Sequence, residues 1–411
     1  MPPLIEKNGS ILMGGLSLAE LSGEFGTPLF AYDLNTAGEM FHSLSRFITW
    51  KPLEIYYAMK SNWNPDLLRY FRSLGSGIDA VSPGDILMAK SAGFNPDQIL
   101  YTTNNITDEE MDMAMNEGVR FNVGSISRLR KYASRYPGTS ICVRFNPDVV
   151  AGEHDYLCTG GSLSKFGVLL EDAREVLAIT RDAGIRITGL HEHTGSGIAA
   201  AESVYQSMKN LLSIAGQFPD LEFIDFGGGF KVPYDPDEIK IDYTEFGRNI
   251  TAIFEEFCRS YGRRLTLCFE PGKYLTAACG VLIVEVNTIR DNKSRRIVGV
   301  NSGLPHLIRP SFYGAYHHIV NLTNPSATPF KYDIVGNICE SGDVFARDRM
   351  LPEVREGDLL AIQNAGSYCY SMGSIYNLRP LPAEVVIQGN TAKLSTKRLS
   401  FAELVLRLSE S

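Results

Sequence analysis

Lys60 follows directly on an apolar run, Ile55–Met59. A lysine so placed is expected to be partly desolvated, which lowers its pKa and frees the amine to form an imine. The competing reading is a surface lysine that closes a strand with its head in water. Glu270 ends a second apolar run. A buried carboxylate needs a partner, and a protonated ring nitrogen would suit it, since both charges are then kept. His191 and His193 stand two apart, so on an extended strand they share a face. Such a pair can ligate a metal, with Asp225 and Glu270 as further ligands, but a cation needs a fuller shell; no metal is expected. A structural histidine, or one stacked on a flat cofactor, are the other readings. Gly227–Gly229 leaves backbone N–H groups open to an anion, because no side chain blocks close approach. It is not G-x-G-x-x-G, so the dinucleotide fingerprint is absent. Beside Ser196 and the Gly272 turn, it could bind one phosphate.

These residues need a scaffold that gathers them. Eight apolar runs read as strands: Glu54–Ala58, Gly77–Val81, Gln98–Thr102, Arg120–Val123, Ser140–Phe145, Ile187–His191, Glu222–Phe226 and Leu265–Phe269. Helical patterns lie between most of them. This alternation predicts an α/β fold, a (β/α)8 TIM-type barrel closed by parallel strands. Chemistry in such a barrel collects at the C-terminal strand ends. Lys60, Asp79, Arg144, His191, Asp225 and Glu270 all fall at or near such ends.

After about residue 280 the rhythm becomes short strands between Gly, Pro and Asn turns, which predicts a C-terminal β domain, sandwich-like or barrel-like. The expected organisation is an N-terminal segment at 1–30 packing with the β domain, the barrel at 31–280, and the β domain at 281–411. A short strand is expected at Leu29–Tyr32.

Composition narrows the function. The chain has 411 residues, 44% hydrophobic and 21% charged, which is globular. Acidic residues outnumber basic ones, 47 to 39. That balance argues against a nucleic-acid partner, whose phosphates need clustered Lys and Arg. No apolar run is long enough to cross a bilayer, and MPPLIEKNGS does not read as a signal peptide. Seven scattered cysteines without a C-x-x-C pair suggest neither a zinc cluster nor a disulfide framework, so a cytoplasmic protein is expected.

Several stretches resemble one family. They include YYAMKSN at 56–62, GIDAVSPGD at 77–85, RFNPDVVAG at 144–152, TGGSLSKFGV at 159–168, GLHEHTGSG at 189–197 and DFGGGF at 225–230. EPGKYL at 270–275, LIRPSFYGAYHHI at 307–319, CESGDVFARDR at 339–349 and GSYCYSMGSIYNLRPLPAEV at 366–385 continue the series. In order and spacing the chain resembles the diaminopimelate decarboxylases, fold-type III enzymes of the alanine racemase and ornithine decarboxylase group. The resemblance implies pyridoxal 5'-phosphate as cofactor, with Lys60 holding it covalently. It implies that His193 stacks on the ring and that Glu270 keeps the ring nitrogen protonated. Asp79 is placed with the cofactor set, and Ser196, Gly228, Gly229, Gly272 and Tyr376 around the phosphate. Cys339, as a catalytic residue, and Glu340 would enter from the other subunit of a head-to-tail homodimer. Arg309 and Tyr313 would bind a distal carboxylate, Glu340 a distal ammonium; Lys273 and Tyr376 complete the substrate set. The implied reaction converts meso-2,6-diaminopimelate to L-lysine and carbon dioxide.

Lys273 stands where arginine is commoner, giving a point charge in place of a fork. Asn301-Ser302-Gly303, Pro305-His306 and Asn364 also depart from the usual pattern. Alternatives at this level are a related decarboxylase of another amino acid in siderophore or polyamine synthesis, a non-catalytic regulatory homologue, and a metal-dependent barrel hydrolase using His191 and His193.

Overall fold

The computed structural model describes residues 4–149, 164–197, 200–235, 237–238, 241–292 and 295–409. Cys158 and parts of the matched stretches at 144–152 and 159–168 lie outside them. Strand β1 (Leu29–Asp33) precedes the barrel, whose strands are β2 (Leu53–Ala58), β3 (Gly77–Ala80), β4 (Ile99–Thr102), β5 (Arg120–Val123), β6 (Ser140–Asn146), β7 (Arg186–His191), β8 (Phe223–Asp225) and β9 (Thr266–Phe269). Each pairs in parallel with the next, and β9 pairs back to β2, so the ring is closed. All eight lie within two residues of where the apolar runs place them. The strands are apolar because both faces are covered, one by helices and one by the barrel interior.

Polar caps start the helices on time. Asn64 caps the helix Pro65–Ser73 by accepting from the Asp66 and Leu67 N–H groups, and Pro65 presets the first turn. Ser82 and Pro83 do the same after β3. Thr107 and Glu110 form a capping box after β4. Early caps keep these strand-to-helix loops short, and short loops hold strand-end side chains over the barrel mouth.

The second sheet is built around β1. It pairs antiparallel with β10 (Gly280–Asn292) and parallel with a strand at Ala383–Gln388. Ala31 and Tyr32 are wholly buried between these neighbours. The expected boundary at 30/31 therefore falls inside a strand, because the pairing runs on to Asp33. Ile11, Met13 and Leu18 share an apolar cluster with Leu29, Val281 and Val385, which ties the first residues to this sheet. A strand at Val344–Pro352 pairs with Pro329–Val335, although its residues carry no strand pattern. Its middle, ARDRM, is polar because it is an edge with one face in solvent.

Candidate active site

Lys60 sits in a single turn, Met59–Ser61, immediately after β2. Its Nζ lies 2.5 Å from Asp79 Oδ2. Asp79 is fully buried near the end of β3. Burial alone pulls the Lys60 ammonium down, but Asp79, Tyr368 and Glu270 around it hold its pKa above the ordinary lysine value. The lowered value expected from the sequence is thus reversed, by a carboxylate that another strand brings in. Burial raises the pKa of Asp79, as Glu270 does, and Lys60 opposes both.

Glu270 follows β9 and is 6% exposed. Burial lifts its pKa, against the pull of Lys60 and Arg144. His191, the last residue of β7, is wholly buried with Nε2 3.0 Å from Glu270 Oε2. His193 lies beyond the strand and is engaged differently, its Nδ1 accepting the Gly228 N–H at 3.2 Å. The two histidines therefore do not act as a pair on one face. His191, Asp225 and Glu270 bring ligand-type atoms within 4.8 Å of one another, without His193. Among the described residues that is three groups, one short of a closed zinc shell.

The glycine run interlocks with these elements. Gly227 has φ +65°, which favours glycine, and its N–H donates to Asp225 Oδ1 at 2.8 Å. A Cβ on Gly228 would lie 2.5 Å from the Glu270 carbonyl oxygen, and one on Gly272 would lie 3.0 Å from Ser61. Glycine is what lets these strand ends close together.

Lys60, His193, Ser196, Glu270, Lys273 and Tyr368 border both a cavity of about 420 Å³ and a small annex lined by Gly228, Gly229 and Gly272. The larger cavity also meets His191, Arg144, Arg309 and Tyr313. Lys273 and Arg309 are buried at 5% and 4% exposure. Both cations stand over one ring, Tyr234, at 5.9 and 5.1 Å from its centroid. Beside Tyr234 the cavity thus carries two buried positive charges, a setting for an anionic group.

Tyr376 lies away from this cavity, as do Cys339 and Glu340, which were expected to come from the other subunit. Tyr376 is 46% exposed and does not border the cavity. Tyr368, from the same loop, does border it, and its N–H donates to Ser61 O at 2.7 Å beside the Lys60 turn. Cys339 and Glu340 are exposed and outside the cavity; the Cys339 N–H donates to Asn377 Oδ1 at 2.9 Å. Arg144, Thr102 and Phe166 border the cavity, although the sequence did not mark them as site residues. For Arg144 and Thr102 a signal existed, since both lie at strand ends, and Arg144 is set over the Phe166 ring at 4.6 Å.

Pyridoxal phosphate suits these residues. Asp79 Oδ1 and Glu270 Oε1 are buried without a hydrogen-bond partner among the described residues. Orphaned acceptors of this kind call for a donor from a ligand. An amine, two carboxylates and a glycine annex with Ser196 match an aldehyde, a basic ring nitrogen and a phosphate.

Residues 38–277 match the family model described as pyridoxal-dependent decarboxylase, pyridoxal binding domain. Diaminopimelate decarboxylase of Methanothermobacter thermautotrophicus is 44% identical, with 98% of this chain and 97% of that protein covered. Two solved structures align over nearly the full length. Diaminopimelate decarboxylase from Helicobacter pylori complexed with L-lysine has a TM-score of 0.88 at 31% identity, covering 95% of this chain and 99% of that one. That from M. jannaschii in co-complex with L-lysine has a TM-score of 0.91 at 28% identity, covering 98% and 97%. The chain belongs to the diaminopimelate decarboxylases, within the pyridoxal-dependent decarboxylases.

Proposed function

We propose that the protein decarboxylates meso-2,6-diaminopimelate to L-lysine and carbon dioxide with pyridoxal 5'-phosphate. The observation that carries this is a single cavity bordered by the Lys60 amine, the buried Glu270 carboxylate and the buried cations Lys273 and Arg309, with the buried Asp79 carboxylate 2.5 Å from Lys60. Lys60 would hold the cofactor through its amine, Glu270 would pair with the ring nitrogen and His193 would lie on the ring face. Ser196, Gly228, Gly229 and Gly272 would hold the phosphate. When bound, the cofactor supplies an electron sink for the pair left behind as the α-carboxylate departs.

The chain's own residues do the rest. Lys60 Nζ must lose a proton to act as a nucleophile, and Asp79 Oδ2 at 2.5 Å is placed to take it. Burial has already raised the proton affinity of Asp79. Arg309 and Lys273 bind the distal carboxylate, with Tyr313 beside Arg309 at 5.7 Å. This contact holds one amino-acid centre of the substrate and so places the other at Lys60. Lys60 Nζ, or the thiol of Cys339 from a second copy, returns a proton to the α-carbon.

The active unit is proposed to be a homodimer. Cys339 and Glu340 are exposed on their own chain, and a second copy would bring them to the cavity, Glu340 on the distal ammonium. Mixing inactive Lys60→Ala and Glu340→Ala chains should then restore about a quarter of wild-type activity, since half the dimers are mixed and each holds one intact site. No recovery after subunit exchange would remove the shared site. A cytoplasmic setting fits six free cysteines among the described residues, five of them buried.

A carbon dioxide release assay with meso-diaminopimelate, lysine, ornithine and arginine side by side tests the substrate. The expected result is a preference for diaminopimelate of at least about 100-fold in kcat/KM, the scale of removing one hydrogen-bonded charge from a substrate. Equal or faster turnover of a monocarboxylate would overturn it.

A further inference from the structure

His191 borders the cavity, yet nothing in the proposed reaction uses it. Its Nε2 lies 3.0 Å from Glu270 Oε2. Its Nδ1 has no hydrogen-bond partner among the described residues, and neither has Glu270 Oε1. These two facts fix the tautomer. Burial, with the Arg144 charge nearby, keeps the imidazole neutral, so it carries one proton. On Nδ1 that proton would be a buried donor without an acceptor, and Nε2 would turn a lone pair toward a carboxylate oxygen. On Nε2 it donates to Oε2, and just an acceptor is left over. The second arrangement is the better one, because buried orphaned N–H groups are the rarer.

Asp225 closes the other side of the cluster. Its Oδ1 accepts the Gly227 N–H at 2.8 Å, and its Oδ2 is without a partner among the described residues. It lies in the same buried group as His191 and Glu270. Two carboxyl groups this close and this buried do not both ionise. Asp225 is fully buried and has a backbone donor. Glu270 has side-chain donors in His191 and Thr102 and the charges of Lys60 and Arg144 nearby. The proton therefore goes to Asp225, and Glu270 is the anion.

We infer that His191 is a positioning residue for Glu270: its Nε2–H pins Oε2 and leaves Oε1 as the open oxygen for the ring nitrogen of bound pyridoxal phosphate. This rests on the role proposed for Glu270 and adds the group that orients it. Without the donor, Glu270 can rotate or take up the shared proton, and its hold on the ring nitrogen weakens.

The test compares His191→Leu and His191→Gln in the holoenzyme. Leucine fills the volume without a donor, whereas glutamine can place an amide N–H near the imidazole Nε2 position. Three quantities are read: the pyridoxal phosphate dissociation constant, the position and intensity of the visible absorption band, and kcat with KM for meso-diaminopimelate. His191→Leu should bind the cofactor about 10-fold more weakly, shift the band, and lose about 10- to 100-fold in kcat with KM within about 2-fold, the scale of one hydrogen bond to a charged group. His191→Gln should recover most of each loss. A leucine variant with wild-type affinity and band would overturn the inference, and so would leucine and glutamine variants that fold but are equally impaired. Failure of the underlying reading looks different: wild-type protein would then show no visible band, or keep it in Lys60→Ala, and the inference would fall with it.

Discussion

Two residues along each strand separate the floor of the barrel from its rim. On the floor, Tyr56, Leu100, Cys142, Phe223 and Cys268 form a buried apolar cluster of their own. Two positions on, and so on the same side of each strand, the chain carries Ala58, Thr102, Arg144, Asp225 and Glu270. The floor also holds a charge, but settles it locally. Arg120 lies over the Phe223 ring at 4.1 Å and donates to the Tyr56 hydroxyl, which donates to Glu54 at 2.8 Å. At the rim Asp79, Asp225, Glu270 and His191 each keep a buried polar atom without a partner among the described residues. A satisfied charge holds a fold together; an unsatisfied one makes sense where a ligand completes it.

This contrast can be broken from either end. Lys60→Ala at the rim should lower kcat by at least about 1,000-fold and abolish the visible band, because the other amine of the cavity, Lys273, is assigned to the distal carboxylate. The thermal midpoint without cofactor should move less than in the floor variant, because Asp79, left without its ammonium, can take up a proton and no apolar contact of the core is lost. Turnover and absorbance measured together check this, and normal turnover would refute the assignment. Phe223→Ala on the floor should do the reverse. It removes a buried ring and the surface on which Arg120 rests, costing about 3–5 kcal/mol. Activity per folded molecule should persist. A floor variant that keeps its stability but loses activity would show that the two ends are not separate in function.

The barrel was legible because each strand is a short apolar run with a polar end, and the strand-end rule then pointed at Lys60, Asp79, His191, Ser196 and Glu270. What could not be read depends on pieces that meet only after folding. The raised pKa of Lys60 needs Asp79 from the next strand. That Tyr368 borders the cavity could not be read from a loop with no period, where Tyr368, Tyr370 and Tyr376 crowd together in sequence. The Tyr368 N–H bond to Ser61 decides which of them stands by the Lys60 turn. The strand Val344–Pro352 was hidden by its polar edge, and the boundary at residue 30 by a strand whose partners lie some 250 residues or more further along the chain.

A finer comparison lies within one short segment. His191 borders the cavity, whereas Glu192 is equally buried but meets Thr194, whose hydroxyl donates to Glu192 Oε2 at 3.0 Å and bonds to Ser207 at 2.8 Å. Burial pushes the Glu192 carboxyl up to about 7, against the hydroxyls and Arg144, which lower it. Between about pH 4.5 and 7 the folded protein thus keeps a proton that the unfolded chain has lost, so stability falls as pH rises through that window. Glu192→Gln removes the ionisation and keeps the shape, and its amide can still reach the two hydroxyl oxygens. It should leave stability near pH 4.5 unchanged and raise it at pH 8 by up to about 3 kcal/mol, or a few degrees in thermal midpoint, at saturating cofactor. Melting both proteins at the two pH values checks this. An equal shift at both would mean that Glu192 is held by packing, and that the ionisation cost is confined to the cavity side of the strand.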